Sequence, residues 1–203
     1  MIIRSGSWKP VNWDNDIYMG KLMKDHWRRF DETFESKLEC IGITSFGYVR
    51  TADLHFFEEI RAICAGNQCR NYGKTWACPP AVGTLEECRS QCLKFSSAMV
   101  FSASYPLEDS FDYEGMVHGH RQFKQVCDNL HEMLDFPHLL LSNEGCVRCQ
   151  TCTYPNAPCR FPEKLFPSLE GYGILVSDLA KSAEMPYIKA GHVTYFGLLC
   201  YDR

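Results

Sequence analysis

Four cysteines lie within sixteen residues of this chain, in the segment GCVRCQTCTYPNAPCR at residues 145–160, hereafter the second cysteine loop. They are Cys146, Cys149, Cys152 and Cys159. The first three recur at intervals of three, a spacing that lets a loop present thiolates to three corners of a [4Fe–4S] cubane. Structural zinc more often takes its four ligands from two separated pairs. The segment therefore predicts a metal-binding loop and favours an iron–sulfur cluster.

The late position of Cys159 leaves two alternatives open. In the bacterial ferredoxin run the next cysteine follows after three residues and precedes a proline, whereas here position 156 is Asn156 and Pro158 stands before Cys159. Either Cys159 closes the same cluster through a longer loop, or the fourth iron takes a remote or exchangeable ligand. An exchangeable ligand would leave an iron able to bind substrate as a Lewis acid. We favour closure by Cys159.

A second group of cysteines precedes this loop: Cys64, Cys69, Cys78 and Cys88. Their spacing is looser, but Gly73, Pro79 and Pro80 supply the turns that fold a chain around a metal. We predict that residues 64–80, hereafter the first cysteine loop, bind a second metal centre together with Cys88. Cys92, one helical turn later, is an alternative ligand to Cys88. Disulfides or a zinc knot are the competing interpretation.

Three further side chains are predicted to contact the cofactor. Lys74 and Arg160 lie within the two loops, where positive charge would offset the negative charge of a thiolate-ligated cluster. Tyr72, with the nearby Trp76, would shield a cluster from water. No nucleotide-binding, serine-hydrolase or zincin motif occurs in the sequence.

The composition indicates which cellular compartment and which kinds of partner to expect. Twelve cysteines in 203 residues would suit a secreted disulfide framework, but a chain this long needs no such staples and its first residues lack the apolar stretch of a signal peptide. We therefore expect a cytoplasmic protein whose cysteines bind metal. A net charge of -4 argues against nucleic acid as a partner, and no apolar run is long enough to cross a membrane.

Alternating strand and helix patterns predict an α+β or α/β sandwich with one mixed sheet and two cysteine-rich metal-binding loops. A stripe of apolar residues from Asp14 to Glu39 predicts a long N-terminal helix ahead of it. We divide the chain into a helical extension, residues 1–40, and a metal-binding domain, residues 41–203. The helix stripe would serve to dock a redox partner or to form a homodimer.

Shorter patterns place individual elements. Thr84 followed by Glu87 is a capping box that starts a helix, residues 112–135 have helical periodicity, and residues 192–201 are typical of a closing strand. Residues 168–185 are interpreted as one helix. Cys40, Cys127 and Cys200 stand in apolar surroundings and are predicted to be core residues.

The motifs CRNYGKTWACPP (residues 69–80) and GCVRCQTCTYPNAPCRFPEKLFPSLEGYGILV (residues 145–176) resemble a family of predicted metal-binding, cysteine-rich proteins of unknown function. The resemblance runs from about Cys64 to the end of the chain. It implies a metal cofactor, with iron–sulfur favoured, the same cysteines as ligands and no established reaction. Ser168, Glu170 and Gly173 also match the family pattern, Ser168 as a helix start and Glu170 as a partner of the ligands or a helix-dipole residue.

Three functional hypotheses follow. The first is an iron–sulfur protein with one or two [4Fe–4S] clusters, acting in electron transfer or as a redox accessory to a partner enzyme. The second is an enzyme that uses an open iron to bind and activate a small substrate. The third is a zinc-stapled interaction module.

Overall fold

The structure, a computed structural model, describes residues 30–202. Its four strands form one sheet in the order β1-β2-β4-β3, with β1 at Ser45–Arg50, β2 at Ser97–Pro106, β3 at His138–Ser142 and β4 at His192–Tyr201. Every neighbouring pair is antiparallel, so the fold is α+β and the prediction of a mixed sheet is wrong. Alternating strands and helices suggested parallel crossovers, but the chain leaves and re-enters this sheet in opposite directions.

Five α-helices accompany the sheet in the described part of the chain: α1 at Glu32–Cys40, α2 at Glu58–Ala65, α3 at Leu85–Cys92, α4 at Tyr113–Glu132 and α5 at Val176–Ser182. Three short 3-10 turns lie at Thr51–Asp53, Pro162–Lys164 and Glu170–Tyr172. Within residues 30–202, no helix combines the length and the apolar character that a bilayer crossing demands.

Successive side chains of each strand point to opposite sides of the sheet, so apolar residues lie on both faces. Other parts of the chain cover each face. On one face Phe101 and Leu199 pack with Phe123 and Leu130 of α4. The opposite face carries Val100, Leu198 and other apolar residues, which pack with α3, α5 and the chain between Leu169 and Met185. The sheet is therefore the middle layer of a sandwich. The second cysteine loop comes shortly after the end of β3, whereas the first begins in the last turn of α2.

The predicted N-terminal helix is not continuous through residue 31. Asp31 has an extended backbone, and its carboxylate accepts a hydrogen bond of 2.8 Å from the backbone N–H of Phe34. Asp31 is thus the N-cap, and α1 begins at Glu32. The part of the prediction between residues 14 and 29 lies outside the described residues, as does most of the proposed docking stripe.

The segment predicted as a single helix over residues 168–185 is divided. Gly173 adopts a φ of 77°, a left-handed conformation that ends the 3-10 turn at Tyr172 and that other residue types rarely tolerate. Ser168 does not start α5; its hydroxyl accepts a hydrogen bond of 2.9 Å from the Gly171 N–H. The break turns residues 168–173 toward the first cysteine loop, because the Ser168 N–H bonds to the Ala77 carbonyl at 2.8 Å.

The prediction of three core cysteines is confirmed for two of them. Cys127 on α4 and Cys200 on β4 are fully buried. Cys40 is exposed, because α1 ends there and turns its last residue to solvent. Cys40 is therefore a convenient control position for changes to the metal-binding cysteines.

Helix α4 carries a buried histidine whose titration should affect stability. His120 stacks on Tyr195, with ring centroids 5.3 Å apart, and burial, with Lys124 and Arg121 nearby, lowers its pKa from 6.5 to about 4. The unfolded chain then binds a proton more readily than the folded one between these values. We expect the free energy of unfolding to fall by up to about 3 kcal/mol as the pH drops from 6.5 toward 4.

Urea unfolding between pH 7 and pH 4 checks this expectation. His120→Phe removes the titrating group, so its stability should depend less on pH than that of the unaltered chain. His118→Phe is the matched control, because His118 lies on the same helix and is exposed. Equal pH dependence in the two variants would contradict the assignment.

Candidate metal centre

The second cysteine loop gathers its four thiols around one cavity. Residues 145–161 contain neither helix nor strand, so the backbone follows the turns that the prolines and the cysteine spacing impose. Cys146, Cys149, Cys152 and Cys159 all line a cavity of about 20 Å³, hereafter the four-cysteine cavity. All four are partly exposed. Cys159 thus faces the same space as the CxxCxxC triple, although six residues separate it from Cys152.

The first cysteine loop brings three of its predicted ligands to another cavity. Cys64 lies in the last turn of α2, whereas Cys69 and Cys78 lie in the turns that follow. These three cysteines line a cavity of about 360 Å³, hereafter the three-cysteine cavity, whose wall also includes Glu144 and Glu170. The loop is held in shape by the hydrogen bond from the Gly73 N–H to the Pro79 carbonyl, at 2.8 Å.

Cys88 and its predicted alternative Cys92 lie elsewhere. Both are fully buried on the core-facing side of α3, and neither is among the residues that line the three-cysteine cavity. The Cys88 thiol donates to the Val82 carbonyl at 3.3 Å and is 4.0 Å from the Arg61 guanidinium. The capping box at Thr84 fixes where α3 starts and so turns these two thiols into the core.

The thiols share cavity walls without converging on a single point. Among residues 30–202, no three His, Cys, Asp or Glu side chains stand close enough together to hold a metal ion. The donor chemistry nevertheless fits a soft metal, because thiolate sets of three or four are the ligands of zinc and of iron–sulfur clusters. Metal ligands are rarely preformed without the metal, since thiols must lose protons and adjust their positions to bind it.

Burial keeps several of these thiols protonated when no metal is bound. Desolvation, assisted by the charge of Glu170, raises the pKa of Cys64 to about 11, and burial also raises the pKa of Cys78. For Cys146, burial raises the pKa while the Arg148 N–H and the charge of Lys124 oppose it. Metal binding at neutral pH should therefore release protons from these cysteines.

The two cysteine loops are in direct contact. The Trp76 Nε1–H of the first loop donates to the Ala157 carbonyl of the second at 3.1 Å, and its ring meets the Tyr154 ring edge-on at 4.9 Å. Gly145 packs so closely on Asn71 that an added Cβ would lie 2.6 Å from its amide nitrogen. Trp76, predicted only as a shield, thus connects the loops and lines the four-cysteine cavity.

The three predicted cofactor contacts are placed differently. Tyr72 lines the three-cysteine cavity and Arg160 the four-cysteine cavity, where its guanidinium donates to the Thr151 carbonyl at 2.9 Å. Lys74 is exposed and lines neither cavity. Whether any of the three contacts a cofactor stays a prediction.

Basic residues that the sequence pattern did not single out lie beside the second loop. Arg148 and Lys164 line the four-cysteine cavity together with Arg160. Lys124 of α4 donates to the Ser142 hydroxyl at 2.6 Å and the Asn143 carbonyl at 2.9 Å, and burial lowers its pKa despite the nearby charges of Cys127 and Glu170. The sequence could have indicated Arg148, because it lies between Cys146 and Cys149 of the CxxCxxC triple. The sequence alone could not have indicated Lys124, because its place beside the loop depends on how α4 packs behind the second cysteine loop.

Glu170 was predicted as a possible partner of the ligands, and it lies on the wall of the three-cysteine cavity. Its carboxylate accepts the Glu144 N–H at 3.1 Å, and burial raises its pKa. The 3-10 turn at Glu170–Tyr172 therefore brings an oxygen donor to a cavity that already presents three thiols.

Comparison with known proteins adds one finding to this geometry. No curated protein and no solved structure matches the chain. A protein-family model does match, and it covers residues 47–200. This span includes both cysteine loops and the whole sheet except Ser45, Phe46 and Tyr201. The chain therefore belongs to the family described as Predicted metal-binding protein (DUF2284).

Proposed function

We propose that this metal-binding protein is an iron–sulfur protein that acts in electron transfer or as a redox accessory to a partner enzyme. The observation that carries the proposal is the four-cysteine cavity, whose wall contains the CxxCxxC triple and Cys159 together. Four thiolates complete the ligand set of a [4Fe–4S] cluster, and Arg160, a cation in the same wall, would offset part of its negative charge. When bound, the cluster would accept and donate single electrons.

The contact between the two loops supports a second centre close to the first. Cys64, Cys69 and Cys78 share the three-cysteine cavity, and Trp76 bridges from the first loop to the wall of the four-cysteine cavity. Two adjacent centres would give electrons a short path across the protein. A redox protein would be the partner that supplies or removes them, and the apolar N-terminal stripe is our proposed docking segment.

A second candidate function is catalysis at an open iron, and the three-cysteine cavity favours it. Three thiols would hold three irons of a cubane, while the fourth iron would face a cavity of about 360 Å³ that also contains Glu170. That volume admits a small substrate beside the metal. A candidate substrate should then change the spectrum of the reduced protein, whereas an electron carrier should be indifferent to it.

A zinc-stapled module is the third candidate, and the small volume of the four-cysteine cavity favours it. About 20 Å³ is room for a single ion, and four cysteines are a common structural zinc set. The loop has no regular structure that would prevent the thiols from moving outward to hold a larger cluster.

Metal analysis of protein purified without oxygen separates these functions. We expect brown protein with about four or eight iron atoms per chain and an equal amount of acid-labile sulfide, as one or two [4Fe–4S] clusters require. Colourless protein that contains only zinc would contradict both iron–sulfur proposals and support the zinc module. Copper-free, iron-free and zinc-free buffers during purification exclude adventitious loading.

A further inference from the structure

A third cavity lies on the other side of Cys146, between α4 and the second cysteine loop. Its volume is about 160 Å³. Four basic residues line it, and they are Arg121, Lys124, Arg148 and Lys164. Asp128 is the acidic residue in the same wall, so positive charge dominates this cavity, hereafter the cationic cavity, in a chain whose net charge is -4.

Part of this positive charge is already neutralised within the described residues. Arg148 pairs with Asp128 through its Nη2, and Lys164 pairs with Glu132 at 2.6 Å. Arg121 and Lys124 enter no ion pair with a residue of the described part of the chain. These two cations thus lack a directly paired carboxylate, although Glu170 and Glu144 act on Lys124 at longer range.

The cationic cavity also contains hydrogen-bond donors that the described residues do not fully satisfy. An ammonium group has three N–H donors, and Lys124 directs two of them to Ser142 and Asn143. The Nε of Arg148 is buried and has no hydrogen-bond partner among the described residues. A buried donor without a partner costs about 1–3 kcal/mol, which favours an acceptor that completes the site.

We propose that the cationic cavity binds a small oxyanion, either a carboxylate or a phosphate, beside the metal centre. Guanidinium and ammonium groups are the side chains that recognise both anions, and the cavity volume limits the ligand to a few heavy atoms. Val147 and Phe166 complete the wall and leave room for a short apolar segment of a carboxylic acid. An extended polyanion such as nucleic acid does not fit this volume.

The position of the cavity relates the anion to the metal centre. Cys146, Arg148 and Lys164 line both the cationic and the four-cysteine cavities, so they form a shared wall. A bound anion would lie directly behind a metal-ligating thiolate. The proposal does not depend on which metal the loop binds, because the cations belong to the protein.

Calorimetric titration of the metal-loaded chain tests the proposal with two probes, inorganic phosphate and succinate, at constant ionic strength. We expect saturable binding of at least one probe with one site per chain, and no binding of neutral succinamide. Tighter binding of phosphate would identify a phosphate site, and tighter binding of succinate a carboxylate site. Saturable binding of neither probe would overturn the proposal and would indicate that the cations only balance the metal centre.

Two variants locate the site. Arg121→Gln changes an exposed side chain, and it should weaken binding about tenfold. Lys124→Met should weaken binding at least as much. The matched control is the double variant Arg89→Gln/Lys94→Met, which removes two exposed cations at α3. Unchanged affinity in both test variants would overturn the assignment. Iron and zinc analysis of each sample keeps this result separate from the identity of the metal.

Discussion

Serine in place of Cys152 is expected to remove the metal of the second cysteine loop. Cys152 lies in turns rather than in a helix or strand, and its side chain is partly exposed, so the substitution itself should not disturb the core. If the proposed cluster is bound there, the variant should contain about four fewer iron atoms and four fewer sulfides per chain. Iron and sulfide assays on protein purified without oxygen measure this loss.

The same substitution should lower stability, because metal binding stabilises the folded chain only. A ligand present at a thousand times its Kd contributes about 4 kcal/mol, and we expect the variant to lose at least this much in anaerobic urea unfolding. Cys40→Ser is the matched control, since Cys40 is exposed at the end of α1 and far along the chain from both loops. Full metal content in Cys152→Ser would contradict the ligand assignment.

Cys159→Ser, assayed in parallel, tests whether Cys159 is the fourth ligand of the cluster, which the spacing of the cysteines did not decide. Because Cys159 lines the four-cysteine cavity, we expect its substitution to lower the iron content as that of Cys152 does. A Cys159 variant that keeps its full cluster would instead indicate a remote or exchangeable fourth ligand. That outcome would move the open iron to the second loop.

Sequence patterns predicted those helices and strands whose bounds depend on interactions within a single segment. The capping box at Thr84 starts α3 where expected, and the strand predicted over residues 192–201 is β4. The helix predicted over residues 112–135 is α4, at Tyr113–Glu132. In each case the signal is a cap or a periodicity contained within one segment.

Features that depend on distant contacts were not predictable from those signals. Strand direction depends on how long connections return to the sheet, so the mixed-sheet prediction was wrong. The break at Gly173 depends on the packing of residues 168–173 against the first cysteine loop, through the Ser168–Ala77 hydrogen bond. The cationic cavity combines Lys124 of α4 with Arg148 of the loop, residues whose proximity only the fold reveals.

Cys88 is placed differently from the other predicted ligands of the first cysteine loop. Counting cysteines made it the fourth predicted ligand of the first loop, but α3 turns it into the core cluster that contains Tyr172. There its thiol donates to the Val82 carbonyl. Cys64, Cys69 and Cys78 share a cavity wall that does not include it. Whether Cys88 binds metal therefore stays a prediction, which the two variants below test.

Cys69→Ala and Cys88→Ala should consequently differ in their effect on the metal content. Cys69 is exposed, so its removal should leave the apolar core intact while the metal of the three-cysteine cavity is lost, about four iron atoms per chain for the proposed cluster. Cys88 is fully buried, so its removal should cost about 1 kcal/mol of unfolding free energy through the small void it leaves, with the metal content unchanged.

Iron analysis and anaerobic urea unfolding of both variants measure the two effects separately. If Cys88→Ala lost iron and Cys69→Ala kept it, the assignment of Cys64, Cys69 and Cys78 as ligands would be contradicted. Cys88 could bind this metal only if α3 turned on metal binding. Loss in both variants would make Cys88 a fourth ligand and close the cluster, which removes the open iron and leaves electron transfer as the function of the first loop. Retention in Cys88→Ala leaves an iron without a thiolate beside Glu170, and substrate binding becomes chemically available there.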